Sequence, residues 1–595
     1  MRISVTAGLL LAIGFSLGTG SARAESAAST PSVLAALRRT MLARPIGSLT
    51  SIHTTGTIEL LGIRGRAQEW NDVRGVRFTV DQNAGPLSGA EGWDGKTAWS
   101  QDYAGLVTID GGMAGRLQAI NQAYLDNLRY LRPDAGGATV VYAGRTAGSG
   151  GEYDVLAVTP PNGTEIRLWI DPQTHLIARE TTTIGAVQSV TTLLDYRHVE
   201  GITYPFASTT QLSSGNTISE RVSTLEVNAD VAERMRVPRQ NVHDFAIAGG
   251  TTGSVPIRVV NNHVYVSNVT IDGHGPYTFV LDSGGDYIVT PEVAAALSAK
   301  SSGTLHLQGV GSATEGASFA RIGSVAVGNA TVRDQYALVL PIATGFGVAE
   351  GMQIDGMLGY QFLARFLTTI DYAGSKLTLS MPSLLPAAAP GAAAMQFFLD
   401  GTIPRVNVNV GDVTVSAEVD TGNRAGLELS SPFLAAHPAI AALAKTAPTV
   451  TGFGVGGPSY ARLGRIPALQ IGPYQISNSI ALFSTSTEGA LADPFNPANI
   501  GGALLSRFDC TFDYAHQQLL LSKNAQFDAQ FTYDRSGLFL IDQNGTYTVL
   551  AVLAGTAAAA AGIAKGDAIV AINGAPATAQ ALAAVRAVLA SPAGT

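Results

Sequence analysis

Phe279-Val280-Leu281-Asp282-Ser283-Gly284-Gly285 is the stretch whose reading decides the fold. It is echoed about 140 residues later by Ala417-Glu418-Val419-Asp420-Thr421-Gly422-Asn423. Each is a short β-prone run that ends in Asp-Ser/Thr-Gly, and the tripeptide occurs nowhere else in the chain. Such a strand delivers a carboxylate to the tip of a tight turn. Glycine lets the backbone reverse without a Cβ clash. The hydroxyl is placed to hydrogen-bond its own backbone or a facing loop.

One such tripeptide is weak evidence, because turns rich in Asp and Gly are common. Here the surroundings recur as well. Met357-Leu358-Gly359-Tyr360-Gln361-Phe362-Leu363-Ala364-Arg365-Phe366 follows the first motif and runs on to Thr369-Ile370-Asp371-Tyr372. Asn499-Ile500-Gly501-Gly502-Ala503-Leu504-Leu505-Ser506-Arg507-Phe508 follows the second and runs on to Thr511-Phe512-Asp513-Tyr514. Ala320-Arg321-Ile322-Gly323 matches Ala461-Arg462-Leu463-Gly464, and a glycine-spaced loop precedes each, Gly309-Val310-Gly311 and Gly452-Phe453-Gly454. A period this long exceeds those of solenoid repeats and reads as a duplicated lobe.

The paired motifs resemble the retropepsin-like aspartic proteases of bacteria. The resemblance implies two lobes whose loops meet, with Asp282 and Asp420 as the residues that activate a water. It implies that Ser283 and Thr421 brace the loops and that Gly284 and Gly422 keep the backbones close. It makes the loops near 309–316 and 452–457 candidate flaps. Two facing carboxylates share one proton, so one serves as base while the other serves as acid. The sequence departs from the family after each glycine. Gly285 and Asn423 stand where Ser, Thr or Ala is usual, so a hydrogen bond to the outer carboxylate oxygen is lost at one loop and altered at the other.

The chain has 595 residues, long enough for three or four domains. It is 46 % hydrophobic and 14 % charged, which favours a folded protein over a disordered one. The net charge of −8, without a basic block, argues against nucleic acid as a partner. Residues 1–24 read as a secretory signal peptide: Arg2, an apolar core from Val5 to Leu17, and Ala22-Arg23-Ala24 as a cleavage site. The mature chain is therefore expected in a bacterial periplasm or secreted, with no membrane span. The single cysteine, Cys510, excludes intrachain disulfides and a cysteine-zinc site. It lies opposite Thr368 in the register of the repeat and reads as a buried small residue. The nine histidines are scattered without metal spacing, and no phosphate loop or serine-nucleophile motif is present. No metal or cofactor is expected.

The overall expectation is a mainly β, multidomain chain. Residues 25–235 form a β-rich accessory domain, an antiparallel sheet with a helix over Leu34 to Leu42 and another near 114–131. Three phrases, Gly92 to Trp99, Trp169 to Arg179 and Asp195 to Pro205, resemble the half-barrels of periplasmic lipoprotein-carrier-like proteins. Residues 236–255 read as a linker, 256–381 as lobe one, 382–394 as a Pro/Ala connector and 395–523 as lobe two. A helix is expected after each motif, over Pro291 to Ala299 and Pro432 to Ala444, each with proline in its first turn. Residues 536–595 resemble a PDZ domain, most strongly from Gly562 to Gly574. That resemblance implies that the edge formed by Gly537, Leu538, Phe539 and Leu540 receives a peptide by β-augmentation. It also implies a strand beyond the last helix, where this sequence stops, so the module reads as incomplete or cut short.

Taken together the residues point to an exported aspartic endopeptidase, monomeric because both half-sites lie on one chain, with PDZ-assisted recognition of peptide or protein substrates. Two other readings stay open. One is a protease-like scaffold that grips extended peptides without cutting them. The other is envelope lipid or lipoprotein handling led by residues 25–235.

Overall fold

The computed structural model describes residues 29–384 and 391–591, so the signal segment 1–24 and residues 385–390 of the Pro/Ala connector lie outside the described residues. The chain divides into two compact units. One holds residues 1–243 with 303–306, and the other holds residues 244–302 with 307–595. No helix among the described residues is long and apolar enough to cross a membrane.

The first unit is one antiparallel sheet that winds in chain order. Ser51–Leu60 pairs with Ile63–Asp72, and the sheet continues through Arg77–Asn83, Gly89–Trp93 and Ala98–Asp102 to Val107–Asp110. On its other side Ser51–Leu60 pairs with Thr217–Val227. From there the order runs backwards through Ile202–Leu212, Val187–Val199, Ile177–Ile184 and Ile166–Ile170 to Gly151–Thr159 and Thr139–Gly148. The helices Thr30–Met41 and Met113–Asp126 pack on this sheet. Leu37, Met41, Tyr124 and Leu125 join Leu156, Ile170 and Phe206 in its larger core. The expected sheet with two packed helices is therefore present, although the second helix ends at Asp126 rather than near 131. A cavity of about 30 Å³ lies among Leu128, Tyr130, Tyr204, Val222 and Glu220. That is room for about one water.

The second unit carries the duplication. In lobe one, His274–Leu281 pairs in parallel with Gly356–Leu358, which pairs antiparallel with Ile288–Val289, itself parallel to Ala330–Val339. In lobe two, Val413–Val419, Ala498–Ile500, Leu427–Leu429 and Tyr474–Ser484 repeat the same sequence of pairings. The lobes join in a six-stranded sheet whose central pair is Leu367–Asp371 with Phe508–Asp513. Thr369 and Thr511 are equivalent positions of the repeat and also face each other, their hydroxyls 2.9 Å apart. An approximate twofold axis passes between them. Cys510 is buried. Its cross-strand partner is Ile370 rather than its repeat equivalent Thr368, because antiparallel pairing about that axis carries equivalents to opposite sides of the centre.

Two expectations are corrected. The segment 236–255 is not all linker: Phe245–Ile247 pairs with Ala330 to Val332, and Thr252–Pro256 pairs with Lys376 to Ser380. These edge strands are too short to show periodicity beside Gly249-Gly250. The helix expected over Pro432 to Ala444 is two short helices, Ser431–Ala436 and Pro438–Ala441. Pro438 has no N–H to continue the first helix and instead starts the second. In lobe one Pro291–Ala296 is a single helix capped by Thr290.

The repeated arginines serve as anchors. The Arg365 side chain is fully buried and donates through Nε and Nη2 to Asp244, at 3.1 and 2.8 Å, and through Nη1 to the Gln361 carbonyl. Arg507 donates to the carbonyls of Phe527 and Ala529, both at 2.7 Å. One arginine ties down the chain entering lobe one, and the other ties down the chain leaving lobe two. The last module packs Leu540, Tyr547 and Val549 of its three-stranded sheet against Leu582 and Val585 of the helix Leu582–Ala590.

Removing Asp244 leaves a buried guanidinium short of its carboxylate. Asp244→Ala is expected to lower stability by about 3 kcal/mol or more, read from the urea midpoint of the full chain. Breaking the exposed Arg321–Asp334 pair with Asp334→Ala should cost less than about 1 kcal/mol. Equal effects would show that burial of the first pair is not what makes it matter.

Candidate active site

Each Asp-Ser/Thr-Gly turn leaves the end of a buried strand. The Asp282 N–H donates to the Leu358 carbonyl at 3.0 Å, and the Asp420 N–H donates to the Ile500 carbonyl at 2.9 Å. The strands that cross behind the turns thus fix both aspartates from the backbone. The turns then close on their own carboxylates. Gly284 N–H donates to Asp282 Oδ1 at 2.9 Å, and Gly422 N–H donates to Asp420 Oδ1 at 2.8 Å.

The hydroxyls cross between lobes. The Ser283 N–H donates to Thr421 Oγ1 and the Thr421 N–H donates to Ser283 Oγ, both at 3.0 Å. In return Ser283 Oγ donates to the Val419 carbonyl and Thr421 Oγ1 to the Leu281 carbonyl, both at 2.7 Å. Both residues are buried. The equal lengths place the same approximate twofold axis here.

The brace brings the aspartates together, and their side chains hydrogen-bond to each other. It also explains the glycines. A Cβ on Gly284 would stand 2.5 Å from the carboxyl carbon of Asp420, and one on Gly422 would stand 2.4 Å from that of Asp282. Each glycine makes room for the opposite lobe's carboxylate. Burial and the neighbouring Asp420 charge hold the Asp282 carboxyl well above the ordinary aspartate range, against the opposing Gly284 N–H. A site with one proton between two carboxylates can donate and accept a proton in the same step.

Several residues at the site were not singled out by motif. Asn499 Nδ2 donates to Asp420 Oδ2 at 2.8 Å. Asn423, expected to alter the outer-oxygen contact, turns its side chain away: Nδ2 donates to Asn499 Oδ1 at 2.9 Å and to Glu428 Oε2 at 3.2 Å. Its backbone N–H reaches Asp420 Oδ1 at 3.1 Å. Beneath the second turn, His263 Nε2 lies 2.9 Å from the Gly422 carbonyl, and its Nδ1 lies 3.5 Å from Glu350. Burial opposes the charge on Glu350, but His263, Arg424 and Arg586 outweigh it and hold the carboxyl down at about 2. The signal for Asn499 was a polar residue at a repeat position that is apolar in lobe one. Nothing local marked His263 or Glu350.

The two glycine-spaced loops are bonded to each other. The N–H groups of Gly309 and Gly311 donate to the Val455 carbonyl at 3.2 and 3.1 Å, and Ala313 N–H donates to the Gly456 carbonyl at 3.0 Å. Val455 and Gly456 form the tip of the hairpin that joins Thr449–Gly454 to Gly457–Ile471.

In the last module, Gly537 precedes the strand Leu538–Gln543, which pairs with Thr546–Val552 and ends the sheet. The edge where a peptide strand would add is not bare. Arg586 Nη2, from the helix Leu582–Ala590, donates to the Leu540 carbonyl at 2.8 Å and also to the Ala349 carbonyl. Phe539 and Ile541 pack on Ala349 and Val450, and the Arg424 guanidinium lies 4.9 Å over the Phe539 ring. Gly351 sits so close to Leu582 that a Cβ there would come within 2.6 Å of it.

Residues 267–362 match the family model of aspartyl proteases, and residues 535–595 match that of the PDZ domain. No curated protein matches the chain. Among solved structures, a LolA superfamily protein from Nitrosomonas europaea aligns over 35 % of this chain and 98 % of its own, at 13 % identity and a TM-score of 0.26. A retropepsin-like aspartic protease from Rickettsia conorii aligns over 22 % of this chain and 89 % of its own, at 19 % identity and a TM-score of 0.17. The chain thus has an aspartyl protease-like domain and a PDZ domain.

The brace should dominate the stability of the paired turns. Thr421→Val keeps the shape but leaves the Ser283 N–H and the Leu281 carbonyl without partners. At about 1–3 kcal/mol for each unsatisfied buried group, a loss of about 2 kcal/mol or more is expected in denaturant unfolding. Thr421→Ser, which keeps the hydroxyl, should recover most of it. A silent Thr421→Val would mean that the lobes are held together elsewhere.

Proposed function

We propose that the chain is an aspartic endopeptidase that hydrolyses peptide bonds with a water held between Asp282 and Asp420. The observation that carries this reading is the pair of mutually hydrogen-bonded carboxylates at the ends of two equivalent turns. The ionised member takes the water's proton as the oxygen attacks the scissile carbonyl. The protonated member gives its proton to the carbonyl oxygen. The roles reverse as the tetrahedral intermediate breaks down to amine and acid. Ser283, Thr421, Gly284 and Gly422 hold the geometry. Both half-sites come from one chain, so the monomer is the active species in this reading.

The N-terminal signal-like segment supports export to a periplasm or beyond as part of the proposal. The PDZ module supports recognition of peptides with apolar C-termini through Gly537, Leu538, Phe539 and Leu540. A specific observation keeps the non-cutting reading in play: Gly285 supplies no hydroxyl to the outer oxygen of Asp282, and a Cβ there would stand 2.6 Å from it.

Asp282→Asn and Asp420→Asn change little volume, so both should fold, and both should lose peptide cleavage. The double variant should be no worse than either, because the pair acts as a unit. Cleavage should need one proton on the pair. It should fall as pH rises past the upper of the pair's two steps, and the raised Asp282 puts that limb above the ordinary aspartate range. Near-normal turnover by Asp282→Asn would leave only the peptide-gripping scaffold.

A peptide adding to the PDZ edge must displace Arg586 from the Leu540 carbonyl. Arg586→Ala is expected to tighten binding of an apolar C-terminal peptide by about tenfold, the scale of one charge-assisted hydrogen bond. Fluorescence anisotropy on the full chain measures it. Weaker binding would place Arg586 among the groups that hold the peptide.

A further inference from the structure

The two halves of the dyad are supported differently. Behind Asp282, Met357 pairs with Val280 on one side and Ile288 on the other. Behind Asp420, the matching register pairs Asn499 with Glu418 on one side and Glu428 on the other. Three apolar side chains in lobe one are thus replaced by three polar ones in lobe two, and all six are buried. Burying an amide and two carboxyls is costly unless they are bonded. Here they form a chain that ends on Asp420.

Asn423 Nδ2 bonds Glu428 Oε2 and Asn499 Oδ1, and its Oδ1 accepts the Ala425 N–H at 2.8 Å. With Oδ1 of Asn499 so occupied, its Nδ2 is turned to the carboxylates, 2.8 Å from Asp420 Oδ2 and 3.0 Å from Glu418 Oε2. Glu418 is paired in turn with Arg405 at 3.0 Å, and Arg405 with Asp400 at 2.8 Å. Asp420 therefore accepts three N–H groups, from Gly422, Asn423 and Asn499. Among the described residues Asp282 accepts one, from Gly284, besides its bond with Asp420. A carboxylate keeps its charge where it accepts most N–H donors.

Resting on the proposed protease reading, we infer that Asn499, oriented by Asn423, is a positioning residue that fixes the negative charge on Asp420 and leaves the dyad's proton on Asp282. Asp420 is then the base that takes the water's proton, and Asp282 is the acid that protonates the carbonyl oxygen. The other groups facing the pair are Glu418, Glu428 and Tyr372 on the Asp420 side, and Asp286 and Tyr514 on the Asp282 side. Burial raises Glu428 to about 7 and also raises Glu418 and Asp286, so burial favours the neutral form of all three. Burial also raises both tyrosines well above their ordinary range.

The test is a titration of the aspartate carboxyls by carbon-13 NMR in the full chain, with Asp282→Asn and Asp420→Asn assigning the resonances. In the native protein the carboxyl that loses its proton first should be that of Asp420. Asn499→Met, which copies lobe one, should raise that lower step by about one unit, tenfold in proton affinity. The acid limb of kcat/KM should move up by the same amount, with the upper limb moving less. Asn423→Ala keeps the donor but frees its orientation, and should move the lower step the same way by less. A purely structural role for Asn499 would change unfolding and leave the lower step in place. That result overturns the inference, as does a native titration in which Asp282 ionises first, which needs no variant at position 499. If the chain cuts no peptide, the NMR titration still locates the proton. If it cuts but Asp282 ionises first, the protease reading stands and only this inference falls.

Discussion

Everything at the site depends on the exchange of hydroxyls between Ser283 and Thr421. Each hydroxyl accepts the other turn's N–H and donates to the carbonyl two residues before the other turn's hydroxyl residue. Four buried backbone groups are satisfied by two side chains, so separating the lobes would leave all four unpaired away from water. That penalty lets two carboxylates be held together where their mutual repulsion would otherwise drive the turns apart. The strain is relieved by protonation, and Asp282 takes a proton more readily than an ordinary aspartate. The raised proton affinity of Asp282 is thus a consequence of the brace.

Symmetry serves the brace, while asymmetry distinguishes the two carboxylates. A strictly twofold dyad would give neither carboxylate a preference for the proton. The duplicated chain is free to vary one half at a time, and it does so at the positions directly behind the turns. The apolar set around Met357 gives Asp282 no donor, whereas Asn499 gives Asp420 one. Gly285 and Asn423 fit the same scheme. Glycine removes the side chain beside Asp282, and Asn423 spends its amide on orienting Asn499.

The second turn is also coupled to the last module. The Gly422 carbonyl rests on His263, His263 on Glu350, and Glu350 faces Arg424 and Arg586. Arg586 in turn reaches the Leu540 carbonyl on the peptide-accepting edge. One buried carboxylate therefore stands between a candidate catalytic turn and a candidate peptide groove. Its charge is held by those cations and His263 together, so a ligand that moves Arg586 changes the partners of a group that His263 alone separates from the Gly422 carbonyl.

The sequence by itself determined the elements whose information is local. Two strand-turn motifs with the same neighbours in the same order imply a duplicated lobe, because a repeat needs no knowledge of contacts. Alternating runs and turn residues marked the β-rich first unit, and Gly562 to Gly574 marked the PDZ. The break at Pro438 is legible too, from its missing N–H, although the run from Pro432 to Ala444 reads as one helix by composition. Only the tertiary structure decided which residues meet. The strands at 245–247 and 252–256 exist because distant strands offer them an edge, which no short window of sequence displays. Asn499 reaches Asp420 through a parallel pairing across about 80 residues, and Arg586 reaches Ala349 across 237. Those contacts are set by strand register and by the packing of one domain on another. Periodicity and motif report the conformation of a segment, and the partner of a buried polar group depends on where the rest of the chain has placed its own.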